Sequence, residues 1–146
     1  MRMAKVWAEN SHAIRNKVGA LIVKDNMIIS DGYNGMPSGF DNCCEDEIWT
    51  CRPEDGPMME LKTKPEVLHA EANAITKLAK STQSSDGATL YVTLSPCFEC
   101  AKLIIQSGIK KVYYAEVYRN TDGLDLLNKA GIETIQLKLE QNVEQS

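Results

Sequence analysis

The chain has 146 residues, with 16 Lys plus Arg against 20 Asp plus Glu, for a net charge of -4. Hydrophobic residues make up 43% and charged residues 25%, the mix of one globular domain that buries roughly 70% of its unfolded surface without disulfides. This excludes wholesale disorder, collagen and coiled coil. The acidic balance, with only Arg2, Arg15, Arg52 and Arg119 as arginines, argues against a duplex-DNA or tRNA binder but not against a small anionic ligand.

In chain order, Met3, Trp7 and Ile14, flanked by Ala4, Val6 and Ala8, predict an amphipathic first helix ending near Arg15. The runs 18–23 (VGALIV) and 27–33 (MIISDGY) predict two strands turned at Lys24-Asp25-Asn26. Residues 34–68 hold four of the five Pro and three of the five Cys. No clean period runs through them, so they read as one long functional loop, with a mobile surface insertion as the alternative.

A helix is predicted from about His69 to Lys80, then a polar turn, then a buried strand from Ala88 to Leu94. Ser95 reads as an N-cap and Pro96 as the first position of a helix reaching Gln106 or Ser107, with Gly108 as its stop. A strand from Lys111 to Val117 follows, then a helix from Thr121 or Asp122 to Ala130, and a last strand from Ile132 to Leu139. The polar tail is 140–146. The order predicts a single α/β domain over 1–139, a five-stranded mixed sheet in three α-β-α layers with helices on both faces. The first two strands form an antiparallel hairpin, and the later ones run parallel through right-handed crossovers.

Met1 to Asn10 is a mixed charged stretch, and the longest apolar runs fall far short of a membrane span. The expectation is a cytoplasmic chain with reduced thiols, in which a close Cys pair points to metal or redox chemistry.

The specific signal is His69-Ala70-Glu71, followed 28 residues after the His by Pro96-Cys97-Phe98-Glu99-Cys100. Cys97 and Cys100 are three apart at the start of a helix, so both thiols share a face. His69 opens another helix, and two helix N-termini aimed at one point favour the thiolate. One His and two thiolates make three ligands where zinc takes four, which leaves a place for water in a catalytic site or for protein in a structural one. Zinc brings its water toward a pKa of ~7. Glu71 then stands where a carboxylate can carry a proton from that water to a ring nitrogen and to departing ammonia. A lone CxxC also fits a structural zinc or a redox pair, and a lone HxE means little. Together, in this order, they match the established H-x-E…P-C-x-x-C signature of zinc deaminases.

With these motifs, nearly the whole chain resembles the deoxycytidylate (dCMP) deaminase family of the cytidine deaminase-like superfamily, in its compact phage or bacterial type. The resemblance includes Val18-Gly19-Ala20, Gly32-Tyr33-Asn34-Gly35-Met36-Pro37 and His69 through Ile75. It also includes Tyr91 through Cys97 and Ala101 through Lys110. It implies one catalytic zinc per chain on His69, Cys97 and Cys100, with Glu71 as proton shuttle. The activity implied is hydrolytic deamination of dCMP to dUMP and ammonia, supplying dUMP for thymidylate synthesis.

The resemblance further implies that Asn34 contacts the deoxyribose and that backbone near Ala70 and Ser95 reads the pyrimidine edge. Arg15, Tyr118 and Arg119 would lie near the nucleotide, the arginines suiting a phosphate. An Asn in a Gly-flanked turn also has backbone reasons to be there, and Arg119 also reads as a surface cation. The family is typically a homohexamer in the cytoplasm (the host cytoplasm if phage-encoded). It takes dCTP and dTTP as effectors, with Mg²⁺ on the triphosphate, and the segment Gly35, Met36, Pro37, Ser38 and Gly39 falls in part of that regulatory site. Cys43, Cys44 and Cys51 read as reduced thiols, with a three-Cys site completed by Asp or Glu as the alternative. Other amino-heterocycles (a free nucleoside, a riboflavin precursor, adenosine in tRNA) are competing substrates, and a zinc-stabilised nucleotide sensor is the non-catalytic reading. Glu71 disfavours the sensor, which has no need of it.

Overall fold

The computed structural model describes residues 1–138. Leu139 of the predicted last strand and the tail 140–146 lie outside the described residues. The elements run α1 (Arg2–Ala8), β1 (Gly19–Lys24), β2 (Met27–Tyr33), β3 (Glu45–Arg52), β4 (Gly56–Thr63) and α2 (Ala70–Leu78). They continue as β5 (Thr89–Leu94), α3 (Phe98–Gln106), β6 (Lys111–Glu116), α4 (Asp122–Lys129) and β7 (Glu133–Gln136). Five strands form a mixed sheet in the order β2-β1-β5-β6-β7. β1 runs antiparallel to β2 and β5, while β5, β6 and β7 are parallel.

Connection length decides those directions. Two residues, Asp25 and Asn26, join β1 to β2 with φ of 51° and 60°. These are the left-handed values of a tight hairpin turn, which Asp and Asn tolerate. Parallel strands need a long crossover, and α3 and α4 supply it. Alternation then sorts the faces. Ala20 pairs with Gly32, and Gly19 with Tyr33, so Gly19 and Gly32 lie on opposite faces. A Cβ at Gly19 would fall 2.1 Å from the Ala4 carbonyl, and one at Gly32 would fall 2.4 Å from the Ala70 carbonyl. α1 is therefore seated on one face and α2 on the other. The core on the α2 face joins Ala20, Ile22, Leu90, Val92 and Val112 of the sheet to Ala74, Leu78, Ala101, Ile104 and Leu127 of the helices. The three-layer mixed sheet is the predicted architecture.

Three expectations need correction. The first helix stops at Ala8 rather than near Arg15. Ser11 donates to the Asn34 carbonyl and accepts from the Ala13 N–H, a local side-chain pattern that competes with helix. Ile14, which extended the apparent period, is 72% exposed. The 34–68 segment is not structureless, because β3 and β4 pair as a separate two-stranded antiparallel sheet. Finally, α3 begins two residues late. Cys97, not Ser95, is its N-cap, with Sγ accepting from the Cys100 N–H, and Phe98 is the first helical residue.

Candidate active site

The strand ends build the site. β2, β5 and β6 end, and β1 begins, along one edge of the sheet, the place where open α/β sheets take ligands. The first turn of α2 brings His69, Ala70 and Glu71 to this edge, and the β5–α3 junction brings Ser95, Cys97 and Cys100. The first turn of α4 lies against the Pro96–Cys97 backbone, where Gly123 leaves room for it.

His69 Nδ1 lies 3.4 Å from Cys97 Sγ and 3.4 Å from Cys100 Sγ. All three donor atoms fall within 4.8 Å of one another, the one such group of three or more among the described residues. Zn–S and Zn–N bonds at a tetrahedral angle place S and N about 3.5 Å apart. The donor set and its spacing therefore fit a zinc ion.

Electrostatics point the same way. Cys97 is pushed down to about 4, first by the hydrogen bond from Cys100 and then by His69. Cys100 is pushed strongly up by that same pairing, by burial and by Glu71. His69 is raised, chiefly by its bond to Cys97. Two thiols on one imidazole thus carry one negative charge between them, and a dication among the three would draw out the second. Glu71 is 4% exposed. Burial lifts its carboxyl to about 7, against the pull of its own backbone N–H and of His69. That range suits a group that must both accept and donate a proton near neutrality.

A pocket of about 700 Å³, including its open mouth, gathers His69, Glu71 and Cys97 with Arg15, Asn34, Ala70, Ser95, Tyr118 and Arg119. Cys100 stands behind Cys97, buried, and does not line it. None of Gly35, Met36, Pro37, Ser38 and Gly39 lines it either. Gly35 instead exchanges backbone bonds with Leu68, closing the base of the insertion.

Two side chains have tasks beyond those the sequence suggested. Asn34 Oδ1 accepts from the Val18 N–H at 2.9 Å, and its Nδ2 donates to the Asn16 carbonyl at 2.7 Å. One amide hydrogen and one lone pair remain for a ligand. Ser95 Oγ accepts from the Tyr118 N–H at 2.6 Å, while the Ser95 N–H donates to Glu116. Ser95 therefore pins Tyr118 at the pocket and keeps its carbonyl and its hydroxyl hydrogen for a base edge.

The sequence reading missed Glu45, Thr63 and Val67, which the 34–68 segment adds to the lining. It also missed Ala13 and Asn16. Of the other three thiols, Cys44 is buried and Cys43 and Cys51 are exposed.

A His-Cys-Cys donor set beside a proton-carrying carboxylate, at the strand ends of a three-layer α/β sheet, defines the class of zinc-dependent hydrolytic deaminases. Residues 1–116 match the family model described as the cytidine and deoxycytidylate deaminase zinc-binding region, and the chain belongs to that family. The deoxycytidylate deaminase of Enterobacteria phage T4 is 38% identical over 165 residues, covering 91% of this chain and 85% of that protein. The human deoxycytidylate deaminase is 41% identical over 141 residues, covering 90% and 74%. The crystal structure of a dCMP deaminase from the cyanophage S-TIM5, in complex with dCMP and dUMP, superposes with a TM-score of 0.80 at 46% identity. It covers 93% of this chain and 92% of that one.

Proposed function

We propose that this protein is a dCMP deaminase, converting dCMP and water to dUMP and ammonia. The observation that carries the reading is one pocket lined by His69, Cys97, the buried Glu71 carboxylate and two arginines, with Cys100 completing the donor triad beside it. The relatives named deoxycytidylate deaminase, one of them solved with dCMP and dUMP, support the substrate.

His69 Nδ1, Cys97 Sγ and Cys100 Sγ would hold the metal. Zinc bound there supplies Lewis acidity that brings a water's pKa toward about 7. Glu71 takes a proton from the attacking water and hands it to the pyrimidine ring nitrogen, then takes a second proton from the hydroxyl now on C4 and passes it to the amino group, which leaves as ammonia while the C4 carbonyl forms. Ala70 backbone and the Ser95 carbonyl read the base edge, Asn34 meets the deoxyribose, and Tyr118 closes the sugar side. Arg15 and Arg119, both exposed at the mouth, bind the 5′-phosphate as charged forks.

Arg15→Ala and Arg119→Ala test the phosphate assignment. Each is expected to raise KM about tenfold for dCMP, the loss of a charge-assisted hydrogen bond, and to leave KM for deoxycytidine nearly unchanged. Equal effects on the two substrates would reject it. Rates on dCMP, CMP and deoxycytidine with the unaltered protein settle the substrate.

The reading extends to a homohexamer in the cytoplasm, the host's if a phage encodes the chain, with dCTP and dTTP acting as Mg²⁺-bound effectors near Gly35 to Gly39. Rate against dCMP, with and without each triphosphate, checks this. A sigmoid made hyperbolic by dCTP is the expected result, since an effector acts only through different affinities for two states. Hyperbolic, effector-blind kinetics would sink the regulatory part alone. Among the described residues no helix is long and apolar enough to cross a membrane.

A further inference from the structure

Two carboxylates in the pocket are buried, Glu71 and Glu45. Glu71 serves the chemistry, and Glu45 has no part in it. Glu45 opens β3 at the base of the hairpin and is 6% exposed. A buried carboxylate is costly unless bonded. Glu45 Oε1 finds its partners 31 and 30 residues away, accepting the Ile14 N–H at 2.8 Å and the Arg15 N–H at 3.2 Å. The ion pairs of the described residues do not include it.

The segment it grips, residues 11–17, has no regular structure. Ala13 is buried, but Ile14 beside it points to solvent and adds no apolar burial to the centre. Ser11 bonded to Asn34 fixes one end, and Asn34 bonded to Asn16 and Val18 fixes the other. Glu45 fixes the middle, the part that carries Arg15. The bonds hold Oε1 against two adjacent backbone donors.

We infer that Glu45 is a positioning residue, clamping the Ile14–Arg15 backbone so that the insertion hairpin sets where Arg15 meets the nucleotide's phosphate. The inference rests on the reading of Arg15 as a phosphate ligand. It makes the hairpin part of the substrate site, which the 34–68 composition alone does not show.

The test uses the full-length, zinc-loaded protein with Glu45→Ala and Glu45→Gln, each alone and with Arg15→Ala. Steady-state kinetics are measured on dCMP and deoxycytidine, and amide hydrogen exchange is followed at Ile14 and Arg15. Glu45→Ala is expected to raise KM for dCMP about tenfold, with kcat and the deoxycytidine KM nearly unchanged, and to strip protection from both amides. Glu45→Gln keeps the acceptor oxygen and is expected to restore most of both. In the Arg15→Ala background, Glu45→Ala is expected to add little, because the two residues act as one unit.

Equal KM effects on both substrates, a full repeated effect in the Arg15→Ala background, or amides that stay protected would each overturn the inference. So would a Gln variant as impaired as the Ala variant. If Arg15→Ala leaves the dCMP KM unchanged while amide protection still depends on Glu45, the phosphate reading fails and the clamp stands.

Discussion

Glu71→Gln is expected to lower kcat for dCMP by roughly 10²- to 10⁴-fold, the range a positioned general acid–base supplies, with zinc content and nucleotide affinity near those of the unaltered protein. The side chain is 4% exposed, and Gln fills the same space, so the surrounding packing is kept. The amide cannot carry a proton at neutral pH, so what it loses is felt in the transition state and not in ground-state binding. That pattern lowers kcat and kcat/KM together and spares KM. Burial makes the wild-type carboxyl able to do both halves of the task. At about 7 it is ionised often enough to accept a proton and acidic enough to return one. Ammonia release, metal analysis and calorimetric binding of dCMP together check the prediction. Retained deamination would sink the mechanism, and loss of zinc in this variant would move Glu71 from proton carrier to structural support. A nucleotide sensor, by contrast, would lose nothing when Glu71 is replaced.

The parts of the fold legible in sequence were those whose burial imposes a pattern. β5 and β6 each bury apolar residues in the sheet, Leu90 and Val92 in one and Val112 and Ala115 in the other, and the helix after each is punctuated by a glycine. Gly108 and Gly131 hold φ of 79° and 83° where α3 and α4 stop. The hairpin of β3 and β4 has no such imprint. Glu45 alone of β3 is buried, and Trp49 and Met59 pair across the strands in solvent. No alternation of apolar and polar residues was required there. A signal did exist in Pro53-Glu54-Asp55-Gly56, a turn sequence with Gly56 at φ 71°, of the kind that closes hairpins.

The candidate site divides along the same line. His69, Glu71, Cys97 and Cys100 announce themselves because metal and proton chemistry restricts residue type and spacing. Arg15, Asn34, Tyr118 and Arg119 became visible through resemblance, since a phosphate accepts cations from any part of a chain. Glu45 sits in the acidic run Glu45-Asp46-Glu47, which reads as a solvated face. Only the return of residues 11–17 to the base of the hairpin gives it a partner, and that return is a tertiary event with no local pattern.

Cys100→Ala is expected to remove zinc, activity and the metal's share of stability together. Cys100 is 3% exposed and shares His69 Nδ1 with Cys97, so its loss leaves two donors and a cavity. Changing residues behind a metal ligand costs about 10- to 100-fold in affinity, and losing the ligand itself is expected to exceed that. A metal that binds the folded state stabilises it by about 2.7 kcal/mol at a hundredfold excess over Kd. For a chain of this size that is a Tm shift of roughly 5–10 °C. The unaltered protein is therefore expected to melt lower after chelation and to recover with added zinc. Cys100→Ala is expected to melt low in both conditions. Cys51→Ala is the matched control, an exposed thiol on β3 outside the pocket, and is expected to keep one zinc per chain and the full shift. Thermal unfolding with and without chelator, beside metal analysis, reads all three. Stoichiometric zinc in Cys100→Ala, or a Tm indifferent to zinc in the unaltered protein, would remove the metal from the His69–Cys97–Cys100 cluster and with it the hydrolytic reading of the pocket.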